Sequence, residues 1–343
     1  MSRRMVTLVI AAVGVLAALA AATIPSVPYV ALTPGPTLNT LGTNNSKPLI
    51  EITGRRTYPA RGHLNLVTVS FTGGPGSQFN IFAALQAWLG PHNAVVPEQE
   101  IFTPGQSPGQ VLQQDTEQMV SSQETATAAA LCQLGIRYST VDTIEATVKG
   151  KPAYGVLMKG DVITSVDGAA VNCRHSGSAL IRARAAGAPV TLTIRRGGKV
   201  RSLRLVTADI QGVPVVGVDV AESFVFPFTV KISIGNIGGP SAGLMFALGI
   251  IDKLSPANLT GGRFIAGTGE IAADGTVAPI GGIQQKMAGA RAAGATIFLT
   301  PAANCKDAAG SVPAGLRLVK VSSLSGAISA LAAINKGQPT QSC

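Results

Sequence analysis

The chain has little charge, few aromatic rings and only three histidines in its 343 residues. Charged side chains make up 13% and aromatics 4%, with a single tryptophan, Trp88, against 46% hydrophobic residues. That balance excludes a self-repelling disordered polymer and suits compact folds. The charge present is one-sided, with a net charge of +10. No basic patch interleaved with aromatics accompanies it, so nothing points to nucleic acid and the excess reads as solvated surface. The glycine-rich turn Thr72 to Ser77 lacks the Gly-Lys-Ser/Thr ending of a phosphate loop, and no Walker A sequence occurs elsewhere. Four cysteines, Cys132, Cys173, Cys305 and Cys343, show no C-x-x-C spacing, so no metal site is expected and no cofactor is implied.

What is present centres on Ile237 to Ile250, where a glycine- and proline-rich turn delivers Ser241 into an apolar helical run from Leu244 to Ile251. A hydroxyl at a helix start faces unpaired N–H groups and the positive end of the dipole, both suited to a developing oxyanion. Gly239, Pro240 and Ala242 shape that turn, and Gly239 and Gly243 would let backbone approach a substrate carbonyl. The plainer alternative is that Ser241 only caps the helix. Gly-Pro-Ser-Ala-Gly also satisfies the loose G-x-S-x-G elbow, but His63, His92 and His175 all precede the serine, which excludes the α/β-hydrolase order. A trypsin-like order stays formally open without the Gly-Asp-Ser-Gly-Gly setting, and the histidines sit in ordinary polar surroundings. The base is therefore expected elsewhere, and the surroundings of Lys286 are compatible with that role. A lysine acts as a base near neutral pH only if burial lowers its pKa by roughly three units. Lys286 has Ile280, Ile283 and Met287 around it and no acid nearby in sequence.

Downstream, Thr268-Gly-Glu, Pro279-Ile-Gly-Gly and then Lys286 follow the Pro240-Ser-Ala-Gly turn in order. This order resembles the proteolytic domain of the Lon family of serine proteases. The resemblance covers about a hundred residues and implies a Ser–Lys dyad, with Ser241 as nucleophile and Lys286 as general base. Thr268 is then placed to orient the amine. Without a Walker A sequence, the ATP-driven unfoldase of cytosolic Lon proteins is absent from this chain.

Ser2-Arg3-Arg4 precedes an uncharged apolar run from Met5 to Ile24, long enough to span a bilayer with the N-terminus on the cytoplasmic side. The alanines at 17, 18, 20, 21 and 22 also permit signal cleavage, and the remainder is expected outside the cell membrane in both cases. Pro25 to Pro36 reads as an extended linker. Ile50–Thr53 and Leu64–Phe71 alternate like an antiparallel pair, Asn80–Leu89 reads as a helix carrying Trp88, and Gly109–Leu134 as a longer helix packing through Val111, Met119, Val120 and Leu131.

The block from Tyr154 to Asn172, with Lys159-Gly-Asp-Val-Ile-Thr-Ser-Val-Asp-Gly168, resembles a bacterial PDZ domain, although its carboxylate-binding loop around Tyr154 is short. Such domains bind peptides by adding a strand at a sheet edge, or serve as a lid. Arginines 174, 182, 184, 195, 196, 201 and 204 within it read as an exposed face.

The fold expected is α+β: an anchor or signal over residues 1–27, a first part of the protease domain over 28–138, a PDZ domain over 139–208 and a Lon-like protease domain over 209–343. Three disulfide connectivities exist, with Cys305–Cys343 favoured and Cys132 and Cys173 compatible with buried thiols. The combination resembles the YlbL-type Lon-like proteases. It implies a membrane-anchored, ATP-independent serine endopeptidase acting on polypeptides, with a homo-oligomeric ring permitted. A catalytically silent, membrane-tethered peptide-binding protein and a small-ester hydrolase remain the alternatives.

Overall fold

The computed structural model describes residues 2–23, 26–44 and 46–343, with backbone alone for 17–23. The first element is a helix, Arg3–Thr23, in the expected apolar run. Part of that run, the side chains from Ala17 onwards and all of Ile24, lies outside the described residues. Among the described residues, no helix is long and apolar enough to cross a membrane.

The larger unit is built on a six-stranded sheet with strand order Arg317–Val321, Ile297–Pro301, Phe264–Gly267, His63–Gly73, Tyr29–Asn39, Ala94–Pro97. The first four are mutually parallel, Tyr29–Asn39 runs against them, and Ala94–Pro97, antiparallel to it, runs with the first four again. Strands from residues 29–97 thus share one sheet with strands from 264–321, and the intervening chain leaves and returns. The Ile297–Pro301 strand is buried along its whole length, as an apolar run covered on both faces requires.

Two expectations fail here. The Ile50–Thr53 strand pairs with Thr229–Ile232 and not with His63–Gly73. The true antiparallel partner of His63–Gly73 is Tyr29–Asn39, in the segment read as a linker. Its prolines did not break the strand because the pairing slips between Pro34 and Thr37, which places Pro36 at a bulge where a missing donor is tolerated.

Helix Gly243–Leu254 is buried continuously from Gly243 to Asp252. It packs against the sheet and against the long helix Pro108–Gln133, which opens with a Ser107/Gln110 capping box. Met119 and Leu131 point inwards as expected, but Val120 is exposed, and the contact is made largely by Ala126, Ala129 and Ala130. Small side chains let the two helix backbones come close, a feature that a search for large apolar residues passes over.

The smaller unit is a six-stranded sheet whose main path is Lys199–Val206, Pro189–Arg196, Val162–Val166, Ser139–Thr147, Val218–Val225, with Ala169–Ala170 pairing off this path with Val162–Val166, and with a short helix, Gly177–Arg182. Its core is Ile144, Leu157, Ile163, Ile181, Leu192 and Ile194. The Val218–Val225 strand pairs with Ser139–Thr147 from end to end, so this unit runs past residue 208 before the chain re-enters the larger one. The arginine face is not wholly solvated. Arg196 forms a two-pronged ion pair with buried Asp161, at 2.7 and 2.6 Å, and also donates to the carbonyl of Val156. Arg184 pairs with Asp167.

Both disulfides form. Cys305–Cys343 ties the tail to the larger unit, and Cys132–Cys173 joins the end of the long helix to the smaller unit. Cys132 and Cys173 are therefore not free thiols.

Candidate active site

Ser241 lies in the turn just before helix Gly243–Leu254 and is half-buried. The cap of that helix is Ala242, with no side-chain bond, so the Ser241 hydroxyl is not used for capping and the plain reading of this serine fails. Gly239 adopts φ +80°, a left-handed conformation that turns the chain into the helix. Among the described residues, the N–H groups of Ser241 and Ala242 donate to no protein acceptor, while Gly243 N–H turns back to Pro240 and Leu244 N–H is taken by Gly269. Two adjacent amides beside a free hydroxyl at a helix start form the donor arrangement that an oxyanion needs.

The turn is held from two sides. On one, the Ser241 carbonyl accepts from the Thr268 hydroxyl and from Gly269 N–H, each at 2.9 Å. Thr268 follows the end of the Phe264–Gly267 strand, so the sheet itself fixes the serine. On the other, the long helix contributes the Asp115 carbonyl, which accepts from Gly239 N–H, and the Ser122 hydroxyl, which donates to the Pro240 carbonyl. Asp115 and Ser122 are two turns apart on one helix face. Burial raises the pKa of the Asp115 carboxyl. Gly243 serves packing and not substrate approach: a side chain there would meet Ile271 and Ser122. Neither Asp115 nor Ser122 stands out in the sequence, because their tie to the turn is made over more than a hundred residues of chain.

Lys286 sits in the first turn of helix Ile283–Ala292, which packs on the Tyr29–Asn39 and His63–Gly73 strands. It is 4% exposed, between Ile283 and Met287 of the surrounding core. Among the described residues no carboxylate pairs with its amine and no hydrogen bond holds it. Burial brings its pKa from 10.5 down to about 8. A position near the positive end of a helix works in the same direction.

The Lys286 amine is hydrogen-bonded neither to the Ser241 hydroxyl nor to Thr268, whose hydroxyl is engaged with the Ser241 carbonyl. A proton transfer between the two side chains would require them to close on substrate. His63 stacks on Phe264 at the opposite end of the strand from Thr268, and His175 lies in the smaller unit, so neither offers a base. Among the described residues no group of three His, Cys, Asp or Glu side chains converges to hold a metal ion.

A cleft of about 430 Å³ opens beside the turn. Pro240, Glu270 and Ile271 line one side, and Glu117, Ser121 and Thr125 of the long helix line the other.

Residues 230–331, which contain Ser241, Thr268 and Lys286, match the family described as Lon protease (S16) C-terminal proteolytic domain, and residues 132–207 match the PDZ domain family. The chain carries a Lon proteolytic domain and a PDZ domain. Lon protease from Heliobacterium modesticaldum is 43% identical over 79 residues, 23% of this chain and 9% of that protein. Lon protease 2 from Herpetosiphon aurantiacus is 45% identical over 69 residues, 20% and 8% respectively. Lon protease 1 from Bacillus subtilis is 41% identical over 69 residues, 20% and 9%. The chain thus spans less than a tenth of the length of these relatives. Among solved structures, the PDZ domains of SdrC-like proteins from Listeria innocua and Listeria monocytogenes are 26% and 25% identical. Each covers 23% of this chain, with 92% and 85% of its own chain matched and a TM-score of 0.22.

Proposed function

We propose that the protein is a membrane-anchored serine endopeptidase that cleaves polypeptides without ATP. The observation that carries this is the division of labour around Ser241: its carbonyl is pinned, its hydroxyl is left free, and two adjacent amides are unpaired. In this reading the Ser241 hydroxyl attacks the scissile carbonyl and the neutral Lys286 amine takes its proton. The amides of Ser241 and Ala242 hold the oxyanion, and the lysine ammonium then returns the proton to the leaving amine. The cleft between the long helix and Glu270–Ile271 receives the substrate chain next to the nucleophile. The PDZ domain recruits or gates extended polypeptides, as strand addition to a sheet edge allows. The N-terminal run from Met5 to Ile24, preceded by Arg3 and Arg4, supports anchoring with the proteolytic part outside.

The test is cleavage of an unfolded reporter by the full chain in detergent without nucleotide, compared with Ser241→Ala and Lys286→Ala. Loss of cleavage in both variants, with unchanged circular dichroism, is expected. Cleavage that survives Lys286→Ala would remove the lysine from the mechanism, and none by the unsubstituted chain would favour a peptide-binding protein.

A further inference from the structure

Helix Ile81–Trp88 is built inside out for a water-soluble surface. Its inward face is small: Ala84 is buried with Ala31 and Phe79, and Ala83 and Ala87 pack beside them. Its large apolar residues, Ile81, Phe82, Leu85, Trp88 and Leu89, follow the i, i+1, i+4, i+7, i+8 spacing of one helical stripe, and all are exposed. Trp88 is 68% and Leu89 77% exposed. A contiguous apolar stripe of this kind calls for a covering partner, whereas scattered exposed leucines do not.

The surroundings point to one kind of partner. From Gly62 to Pro97 the chain carries no Asp, Glu, Lys or Arg, in a protein with 27 Lys and Arg and 17 Asp and Glu. The helix is also tied to the N-terminal apolar segment. Val27 N–H donates to the Phe79 carbonyl at 2.7 Å, and Val27 packs into the cluster under the helix. Only three residues lie between Thr23, the end of the N-terminal helix, and Val27, a span of at most about 14 Å. Whatever medium holds that segment therefore lies within reach of the exposed stripe. An indole and a phenyl ring beside branched aliphatics suit the boundary between headgroups and acyl chains.

We infer that helix Ile81–Trp88 lies in the membrane interface, with Phe82, Leu85, Trp88 and Leu89 entering the lipid and the alanine face seated on the larger unit. This rests on the proposed N-terminal anchoring and adds a second contact to it. A body held at two points has one fixed orientation to the bilayer, whereas a body on a single flexible tether does not.

Trp88 is the chain's only tryptophan, so its fluorescence reports on this helix alone. The full chain is reconstituted into vesicles of phosphatidylcholine and phosphatidylglycerol, and membrane association is scored by flotation. Emission is then measured with aqueous iodide and with lipids brominated near the headgroup end of the acyl chains. The expected result is flotation, blue-shifted emission, protection from iodide and roughly threefold quenching by bromine, as an interfacial indole should show. The variant Leu85→Glu/Leu89→Glu alters only exposed positions and should still float while its Trp88 emission returns to that of a water-exposed ring.

Flotation with Trp88 open to iodide and indifferent to bromine would overturn the inference and leave anchoring intact. Failure to float would overturn both. Emission that is blue-shifted, dependent on protein concentration and indifferent to bromine would assign the stripe to a second copy of the chain and also overturn the inference.

Discussion

The hydroxyl of Thr268 donates to the main-chain carbonyl of Ser241, 27 residues earlier in the chain, at 2.9 Å. Thr268 thus holds Ser241 through its backbone, while the serine side chain stays free. Thr268→Val keeps the shape and removes the donor, leaving only Gly269 N–H on that carbonyl. A stability loss of about 1 kcal/mol is expected. Turnover should fall by about tenfold, because the oxyanion donors lose part of their pre-organisation. Thr268→Ser should restore most of both. Peptidase rates together with urea midpoints for the two variants check this.

Under the proposed mechanism, with Lys286 as the base, activity and stability depend on pH in the same direction. As a base it must be neutral, so kcat/KM should rise about tenfold per pH unit below about 8 and level off above it. Folding lowers the lysine pKa from 10.5 to about 8, so between these values the unfolded chain binds more protons than the folded one. Stability attributable to this group therefore rises with pH across that window, and the penalty is fully present below it. Lys286→Met should be inactive yet more stable than the parent at pH 7, by roughly 3 kcal/mol at most. The difference should disappear near pH 10.5. Denaturant midpoints at pH 7, 9 and 10.5 measure it.

The candidate residues Ser241, Thr268 and Lys286 could be picked out in the sequence because they fall in short, ordered motifs between Pro240 and Lys286. Their supports could not. Asp115 and Ser122 meet the nucleophile turn only because helix Pro108–Gln133 is laid against helix Gly243–Leu254, and no local pattern encodes that placement. Strand partners were hidden for a similar reason. Alternation marks Ile50–Thr53 and His63–Gly73 as strands but says nothing of what each pairs with. Tyr29–Asn39 was obscured by Pro34 and Pro36, which a bulge accommodates. The arginine run looked like a solvated face because the partner of Arg196, Asp161, lies 35 residues upstream in another strand's approach.

That pair is the main polar tie within the PDZ domain. Asp161 is 1% exposed, and Arg196 holds its carboxyl below the usual carboxylate range by direct hydrogen bonds. Arg196→Met would leave the Asp161 carboxylate without its partner, and a lower melting temperature is expected. Removing both partners with Asp161→Leu/Arg196→Met should recover much of the loss, since no charge is then left unpaired. The double variant melting as low as Arg196→Met alone would show that the arginine acts by packing and not by pairing.

The Cys132–Cys173 bond couples the two units at an informative place, the end of the same helix that carries Asp115 and Ser122 to the nucleophile turn. It closes a loop of 41 residues, so losing it should cost roughly 4 kcal/mol by chain entropy alone. Cys132→Ala/Cys173→Ala is expected to lower the melting temperature and to separate unfolding of the PDZ domain from that of the proteolytic domain. Two resolved calorimetric transitions would be the signature. Peptidase activity per folded molecule tells whether the coupling reaches the site. If the long helix transmits it, the rate falls along with the stability. An unchanged rate with a lowered melting point would confine the bond to holding the domains together.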